Sequence, residues 1–329
     1  MSKDKKKRKL KPFGVTVLVL VSILIIMIGS AAIYVNYKLS KIQRISLHEN
    51  DLNISSVVDE KLSDYRNIAI FGIDSREDTY SEGNRSDSII IVSINEKTKE
   101  VRLVSVYRDT YVQIEDHGLD KITHAYSYGE APLAINTLNT NLDLNIKEFV
   151  AVNFEAVKSI VDSVGGISME ITSEEVPHIT GIDKAGMYLL TGEQALAYSR
   201  IRHAEGGDYK RTERMRNVLA AVANKAKTFN ATQLNKFADK VLPEIYTNIK
   251  QTEILSLIPE AASYKITKSI GWPYETQGIT LDRWYGVPIT LESNATKLHQ
   301  EIFEENDYIP SDTVKEINNS IIKKTGYGK

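Results

Sequence analysis

The chain has 329 residues, of which 42% are hydrophobic and 26% charged, as in an ordinary globular protein of one large domain or two. It contains no cysteine, which excludes disulfides, thiol catalysis and cysteine-ligated zinc or iron. The chain has 41 basic and 43 acidic residues, of which seven basic residues and one acid precede Tyr37. The part after Tyr37 therefore has 34 basic and 42 acidic residues, a net charge of −8. A segment this acidic is a poor general polyanion binder, and any anion site must therefore be local.

The N-terminus has the pattern of a membrane anchor. Residues 3–11 contain seven Lys and Arg, and residues 13–35 then run without a charge. At ~1.5 Å per residue, a helix over this run crosses a bilayer, and the basic residues before it place the tail in the cytoplasm. A cleavable signal peptide is the alternative, because Ser30, Ala31 and Ala32 are small. Its apolar region would be only about 7–15 residues long.

These features predict four segments. Residues 1–12 are a cytoplasmic basic tail, and residues 13–35 are a transmembrane anchor. Residues 36–66 are polar with scattered apolar side chains, which indicates a stalk or linker. Residues 67–329 form one extracytoplasmic domain, because no internal repeat, low-complexity tract or second linker divides them.

Three strands open this domain. Residues 67–72, 88–95 and 101–107 are short runs rich in branched apolar side chains, typical of buried strands. The connection at residues 96–100 is short and polar, which predicts that the second and third strands form an antiparallel hairpin.

The rest of the domain mixes helices with strands. A capping box at Thr191 to Gln194 predicts the start of a short helix. Helices are predicted at residues 132–142, 154–164, 191–198, 209–228, 251–264 and 291–306, and further strands at residues 149–153, 167–171 and 265–270. This alternation predicts an α/β fold in which helices flank a mixed central β-sheet on both faces, as an α-β-α sandwich.

The arginines are unevenly distributed. Of 13 Arg, nine fall in residues 74–109 and 198–216, where only three Lys occur. Arginine suits planar anions such as phosphate, because its guanidinium binds them in a bidentate manner and keeps its charge on burial. Asp74, Asp87 and Asp109 lie among these arginines, and acids beside phosphate-binding cations indicate a divalent metal and phosphoryl chemistry.

The strand order predicts that the first group of charges meets. Asp74 follows the first strand, Asp87 precedes the second and Arg108 follows the third. If neighbouring strands are antiparallel, these positions share one edge of the sheet, together with Arg76 and Arg85.

The second group is predicted to form another surface for an anion. If residues 198–202 are extended, Arg200 and Arg202 point to one side, whereas on a helix they would lie about 200° apart. Arg211 and Arg214 are three residues apart on the opening turn of the next helix, where the positive helix end also favours phosphate.

Each of these features also has an ordinary structural explanation. An Asp beside an Arg is often a surface ion pair, and an Arg-rich first turn is often a solvated face. Arg102 alternates outward in its strand and is expected to be solvated. His203, beside Arg202, is expected to be a bystander. The residues alone therefore leave both a metal-assisted phosphate site and a set of structural ion pairs open.

The motifs at these positions resemble those of the LytR–CpsA–Psr family of Gram-positive bacterial envelopes. The similarity covers roughly residues 67–227, and the order and spacing of its motifs are specific. The matching motifs are FGIDSR (71–76), RSDS (85–88), SVYRD (105–109), TGEQALAYSRIR (191–202) and GDYKRTER (207–214).

The resemblance implies a membrane-anchored phosphotransferase. Such enzymes move a glycopolymer from an undecaprenyl-pyrophosphate carrier to a sugar hydroxyl of peptidoglycan, with Mg²⁺ as cofactor. The expected partners are therefore the lipid-linked glycopolymer, peptidoglycan and membrane lipid, without nucleic acid. The expected location is the cell membrane, with a single span and the C-terminal domain outside. A non-enzymatic scaffold or regulator that binds the same lipid-linked polymer, or a pyrophosphatase acting on it, is the alternative.

The resemblance also implies roles for individual residues. Asp74 and Asp87 would bind Mg²⁺. Arg108 would act in catalysis. The acceptor hydroxyl also needs a base or strong polarisation, for which the chemistry suggests Asp109 or a metal-linked carboxylate. The pyrophosphate would be held by Arg85, Arg108, Arg200 and Arg202, with further contacts from Arg211 and Arg214.

Overall fold

The structure is a computed structural model that describes residues 34–74, 80–81, 83–202, 207–257, 260 and 262–328. It divides into a small N-terminal unit that ends at Lys41 and a large unit that begins at Ile42. In the small unit, residues 34–39 are helical. The predicted tail and residues 13–33 of the predicted anchor lie outside the described residues. Within the described ranges, no helix is both long and apolar enough to cross a bilayer.

The large unit contains strands and helices in alternation. The strands are β1 (Gln43–Arg44), β2 (Tyr65–Ile73), β3 (Ser86–Asn95), β4 (Glu100–Val106), β5 (Tyr111–Ile114), β6 (Gly118–Lys121), β7 (Glu148–Asn153), β8 (Ile167–Ile171), β9 (Gly186–Leu190), β10 (Tyr246–Thr247), β11 (Lys265–Trp272), β12 (Thr276–Thr280) and β13 (Trp284–Pro288). The helices are α1 (Ser56–Lys61), α2 (Ile122–Leu142), α3 (Phe154–Ser163), α4 (Gly192–Arg200), α5 (Gly207–Ala226), α6 (Ala231–Val241), α7 (Gln251–Leu257), α8 (Leu291–Phe303) and α9 (Asp312–Thr325). Short 3-10 turns lie at Glu49–Leu52, Val176–His178 and Leu242–Glu244.

A mixed seven-stranded sheet forms the centre, in the order β1-β10-β7-β2-β3-β4-β11. β3 is antiparallel to β4, as predicted, and also to β2, whereas β2 is parallel to β7 and β4 to β11. The three central strands are buried along most of their length, which explains their nearly continuous apolar sequences.

Helices cover both faces of this sheet, as predicted. On one face, Phe71, Ile91 and Val106 belong to a core cluster with side chains of α2, α8 and α9. Successive strand residues point to opposite faces, so Ser105 faces the other way. Its hydroxyl donates to the backbone carbonyl of Thr212 in α5, which places that helix on the second face.

A second core cluster supports the helices that carry the later arginines. It joins α3, α4, α5 and the β8–β9 hairpin through side chains that include Val161, Leu190, Tyr198 and Val218. The capping box at the start of α4 forms as predicted: the Thr191 hydroxyl accepts from the Gln194 amide, and the Gln194 side chain accepts from the Thr191 amide. The end of α4 and the middle of α5 therefore pack in one apolar cluster.

The structure corrects the interpretation of residues 36–66 as a stalk. The folded unit begins at Ile42 rather than at residue 67, and β1 pairs with β10 in the central sheet. Leu52 and Leu62 are each 1% exposed and belong to the main core cluster. The sequence around these two leucines has no periodic apolar pattern. They are buried by contact with parts of the core cluster that are distant in the chain.

Several predicted boundaries also differ. The helix expected at residues 132–142 is confirmed as the part of α2 that follows a break at Gly129 and Glu130, whereas the part that begins at Ile122 was not predicted. The helix expected at residues 251–264 ends at Leu257. Residues 198–200, expected to be extended, are the last part of α4. The hairpins β5–β6 and β12–β13 and helix α9 were not predicted.

The burial of Leu52 predicts that the segment before residue 67 stabilises the domain. Leu52→Ala should lower the free energy of unfolding by about 2–5 kcal/mol, because it leaves a cavity in the core. Val57→Ala in the same segment is the matched control, since Val57 is 60% exposed. It should change stability by less than ~0.5 kcal/mol. Urea unfolding measures both, and equal midpoints for Leu52→Ala and the parent protein would contradict the assignment.

Candidate functional site

Three chain segments meet at one edge of the central sheet. β2 leads into Asp74, β3 begins beside Asp87, and β4 leads into Arg108. The backbone amide of Asp74 donates to the carbonyl of Arg85 at 3.0 Å, which holds the ends of the β2–β3 connection together. The antiparallel arrangement therefore gathers these residues as the sequence predicted.

Asp87 connects the two arginine-rich regions. One of its carboxylate oxygens accepts from Arg108 at 2.6 Å, and the other lies 3.6 Å from a guanidinium nitrogen of Arg202. Its backbone carbonyl accepts from Arg211 at 3.0 Å. The side chain of Asp87 is only 10% exposed, so these contacts are partly shielded from water. The predicted convergence of the two regions is thus observed.

Acids lie close to each arginine of this cluster, but burial affects the arginines differently. Arg211 is 6% exposed and pairs with Asp208 at 3.0 Å. Burial, together with repulsion from Arg202 and Arg108, lowers the pKa of Arg211 despite the attraction of Asp208. For Arg108 burial acts in the same direction, but the neighbouring acids Asp87, Asp109 and Asp208 raise its pKa. Of the two, Arg211 is the one whose charged form its surroundings disfavour, and an added anion beside it would favour that form.

A cavity of about 260 Å³ opens beside this cluster. It is lined by Asp74, Asp87, Ser88, Phe154, Ser199, Arg200, Arg202, Arg211, Thr212 and Met215. Arg200 lies over the ring of Phe154 at 4.2 Å, a cation–π contact that orients its guanidinium. The cavity thus combines three arginines with two carboxylates, which is the donor set of a site for an anion and a cation.

Arg200 and Arg202 reach this cavity by a route that differs from the prediction. Arg200 is the last residue of α4, and Ile201 leaves the helix with φ −60° and ψ 121°. In a continuous helix the two side chains would diverge by about 200°. The change to extended backbone at Ile201 turns the chain, so that both side chains line the same space.

Arg85 and Arg214 do not line the cavity. Arg85 is exposed, and its contact with the site is the backbone hydrogen bond to Asp74. Arg214 is 5% exposed and donates through Nε to Glu175 at 2.6 Å and through a terminal nitrogen to the carbonyl of Ile201 at 3.2 Å. The expectation that Arg214 contacts phosphate beside Arg211 is therefore corrected, since a buried carboxylate takes its charge.

Two further arginines of the biased regions are structural. Arg102, expected to be solvated, is 6% exposed, donates to the carbonyl of Ile302 and pairs with Glu304. Arg216 is 5% exposed and donates to the Ser269 hydroxyl. Both connect the sheet to flanking elements. Arg76 and His203 lie outside the described residues.

Asp109 lies between two cations. Lys121 donates to one of its carboxylate oxygens at 2.6 Å, and Arg108 Nε lies 3.5 Å from the other. Arg108 Nε is buried and makes no hydrogen bond among the described residues. Lys121 was not identified from the sequence, because it is an isolated lysine at the end of β6 and only the fold brings it to Asp109.

The carboxylates do not form a complete protein-only metal site. In the part of the chain that the structure describes, no three His, Cys, Asp or Glu residues are grouped to hold a metal ion. Asp74 and Asp87 are the two acids that line the cavity. This pattern suits an ion such as Mg²⁺, which usually takes one or two carboxylates and completes its shell with phosphate oxygens and water.

Fold and site together define an α/β protein with an arginine- and carboxylate-lined anion site at a sheet edge. The sequence model of the LytR_cpsA_psr family matches residues 30–297, and the chain belongs to this family. The predicted family is therefore confirmed.

Characterised relatives share most of the chain. It is 32% identical over 293 residues to TagT of Bacillus subtilis (strain 168), and the match covers 84% of this chain and 90% of the relative. It is 34% identical over 256 residues to TagU of Bacillus licheniformis, and this match covers 76% of this chain and 80% of the relative. Both relatives are named polyisoprenyl-teichoic acid–peptidoglycan teichoic acid transferases, so the predicted enzyme class is theirs.

A solved structure shares the fold. The crystal structure of TagV from Bacillus subtilis superimposes with a TM-score of 0.61 at 28% identity, over 75% of this chain and 98% of that one. The predicted mixed α/β architecture is therefore the architecture of a solved family member as well.

The contacts of Arg214 predict a structural role. Arg214→Ala should lower the free energy of unfolding by about 3–5 kcal/mol, because it leaves the buried Glu175 without its partner. Arg200→Ala is the matched control, since Arg200 is exposed and only its contact with Phe154 is lost, at a cost of less than ~1 kcal/mol. Denaturant unfolding measures both. An Arg214→Ala protein as stable as its parent would refute the structural assignment.

Proposed function

We propose that this protein transfers a glycopolymer, a teichoic acid or a similar polymer, from a polyisoprenyl-pyrophosphate carrier to a sugar hydroxyl of peptidoglycan. The names of the relatives support this substrate class. The observation that carries the proposal to this chain is the contact of Asp87 with arginines from both regions, beside a cavity lined by three arginines and two carboxylates.

The pyrophosphate would lie in the cavity against Arg200, Arg202 and Arg211. Arg108 would act from behind Asp87, at the edge of the same cluster. Fixed cations of this kind stabilise the charge that develops on phosphate oxygens during transfer, and they do so without reorganising. Burial lowers the pKa of Arg211, and an anion in the cavity would favour its charged form, which supports this placement.

Mg²⁺ would be held by Asp74 and Asp87. Asp74 is exposed and lines the cavity, whereas Asp87 is already oriented by Arg108. The ion, when bound, would neutralise phosphate charge. The protein would also fix the position of the ion, since Asp74 follows a buried strand and its backbone amide is hydrogen-bonded to Arg85.

The proton of the acceptor hydroxyl would pass to Asp109. The hydroxyl oxygen forms the new bond to phosphorus, the phosphoanhydride bond breaks, and the polyisoprenyl phosphate leaves. Asp109 is held by Lys121, which fixes its orientation beside Arg108.

We further propose that residues 13–35 anchor the protein in the membrane with residues 1–12 in the cytoplasm, so that the folded unit faces the cell wall.

The first prediction concerns the arginines that line the cavity. Arg202→Ala should lower the rate of polymer transfer by roughly 10²-fold, the effect of removing one preorganised donor to transition-state charge. Arg44→Ala, which removes an exposed arginine of β1, is the matched control and should leave the rate unchanged. Transfer of polymer from a polyisoprenyl-linked donor to peptidoglycan is the measurement. Parental rates in Arg202→Ala would contradict the proposal, whereas release of free polymer phosphate would identify water as the acceptor.

The second prediction concerns the metal. Asp74→Asn should raise the Mg²⁺ concentration needed for half-maximal transfer by roughly tenfold, since one of two carboxylate ligands becomes a weaker neutral oxygen. Asp312→Asn is the control, because Asp312 is an exposed acid at the start of α9. If both variants show the parental dependence on Mg²⁺, Asp74 is not a ligand.

A further inference from the structure

A second cleft lies beside the phosphate cavity. It has a volume of about 360 Å³, within the range of small-molecule sites, roughly 300–1,000 Å³. Tyr107, Asp109, Thr110, Gly207, Asp208, Tyr209, Thr276, Trp284 and Gly286 line it. Two of its aromatic rings face solvent, since Trp284 is 46% exposed and Tyr209 43% exposed.

Trp284 is held flat on the β12–β13 hairpin. Gly278 and Gly286 pair across the two strands, and the indole lies over both. A Cβ atom at Gly278 would meet the indole nitrogen at 2.8 Å, and one at Gly286 would meet the six-membered ring at 3.5 Å. The absence of side chains at these two positions therefore allows the ring to lie close to the backbone and leaves its other side open.

The hairpin is fixed to the catalytic segments. The amide of Gly286 donates to the carbonyl of Asp109 at 2.9 Å. The hydroxyl of Tyr209, on the first turn of α5, is 2.8 Å from the hydroxyl of Thr276 in β12. Tyr107 meets Tyr209 edge to face at 4.4 Å between ring centroids. The aromatic wall of the cleft is thus positioned relative to Arg108 and the start of α5.

The cleft is continuous with the phosphate cluster through its carboxylates. Asp208 pairs with Arg211, which lines the phosphate cavity, and Asp109 lies 3.5 Å from Arg108. A ligand in the cleft would therefore lie one side chain away from a bound pyrophosphate.

The lining selects the chemistry of the occupant. Two carboxylates repel a second anion, and a lipid tail would remove their oxygens from water without offering them a hydrogen bond. A pyranose suits both the aromatic rings and the carboxylates of the cleft: its C–H face packs on the rings, and its hydroxyls donate to the carboxylates. Tyr and Trp favour such contacts, because they combine a large apolar ring with a polar group that can remain in water.

We propose that this cleft binds the acceptor sugar of the transfer reaction, an inference that rests on the proposed function. Trp284 and Tyr209 are positioning residues that stack on the sugar and direct its hydroxyl toward the phosphorus. The hydroxyl oxygen bonds to phosphorus, its proton passes to Asp109, and the phosphoanhydride bond to the carrier breaks.

Transfer kinetics with the full-length protein in detergent test this assignment. Trp284→Ala should raise the half-saturating concentration of a soluble peptidoglycan tetrasaccharide acceptor by roughly tenfold, the scale of one aromatic contact. The half-saturating concentration of the polyisoprenyl-linked donor should stay unchanged, and Trp284→Phe should restore most of the acceptor affinity. Met187→Ala, which removes a side chain 68% exposed on β9, is the control and should match the parent.

Direct binding separates this inference from the proposed function. The chain has two tryptophans, and Trp272 is fully buried, so a saturable change in fluorescence on adding the tetrasaccharide without donor reports Trp284. If the protein binds the tetrasaccharide through Trp284 but transfers no polymer, the cleft is confirmed and the proposed function fails. If the tetrasaccharide causes no change in fluorescence, or if Trp284→Ala keeps the parental acceptor dependence, the cleft proposal is overturned.

Discussion

The site depends on the contacts that Asp87 makes with three arginines. Its carboxylate pairs with Arg108 at 2.6 Å and lies 3.6 Å from Arg202, and its carbonyl accepts from Arg211. Three guanidinium groups thus converge on one partly buried residue, with Asp109 and Asp208 close to them. Because their surroundings are less polar than water, these arginines would attract an anion more strongly than exposed arginines.

Two separate apolar cores hold the members of this contact. The central sheet and α2 fix Asp87 and Arg108 at the ends of buried strands. The second cluster, built on α3, α4 and α5, fixes the arginines that follow Tyr198. The arginine-lined cavity lies between segments that these two cores support, and the aromatic cleft is lined by neighbouring segments and by the β12–β13 hairpin. The proposed donor and acceptor sites would therefore share one set of acids and arginines.

An enrichment in arginine does not by itself identify phosphate contacts. A guanidinium binds a carboxylate with the same planar geometry as a phosphate, so burial selects arginine for structural pairs as well. Arg214 with Glu175 and Arg102 with Glu304 are such pairs, and both lie in the regions where arginine replaces lysine. Arg202 differs from Arg102 and Arg214 in burial and in distance to its acid. Its side chain is 45% exposed and lies 3.6 Å from Asp87, and sequence spacing does not reveal this.

The sequence by itself determined the central strands, their antiparallel hairpin, the capped start of α4 and the family, because each depends on local patterns or on short motifs. It also placed Asp87 and Arg108 at one sheet edge, since strand direction follows from a short connection. Only the tertiary structure decided that Leu52 belongs to the core, that Arg214 turns to Glu175, and that Trp284 stands beside Asp109. These outcomes depend on contacts between residues far apart in the chain, and such contacts leave no periodic or compositional pattern near either partner.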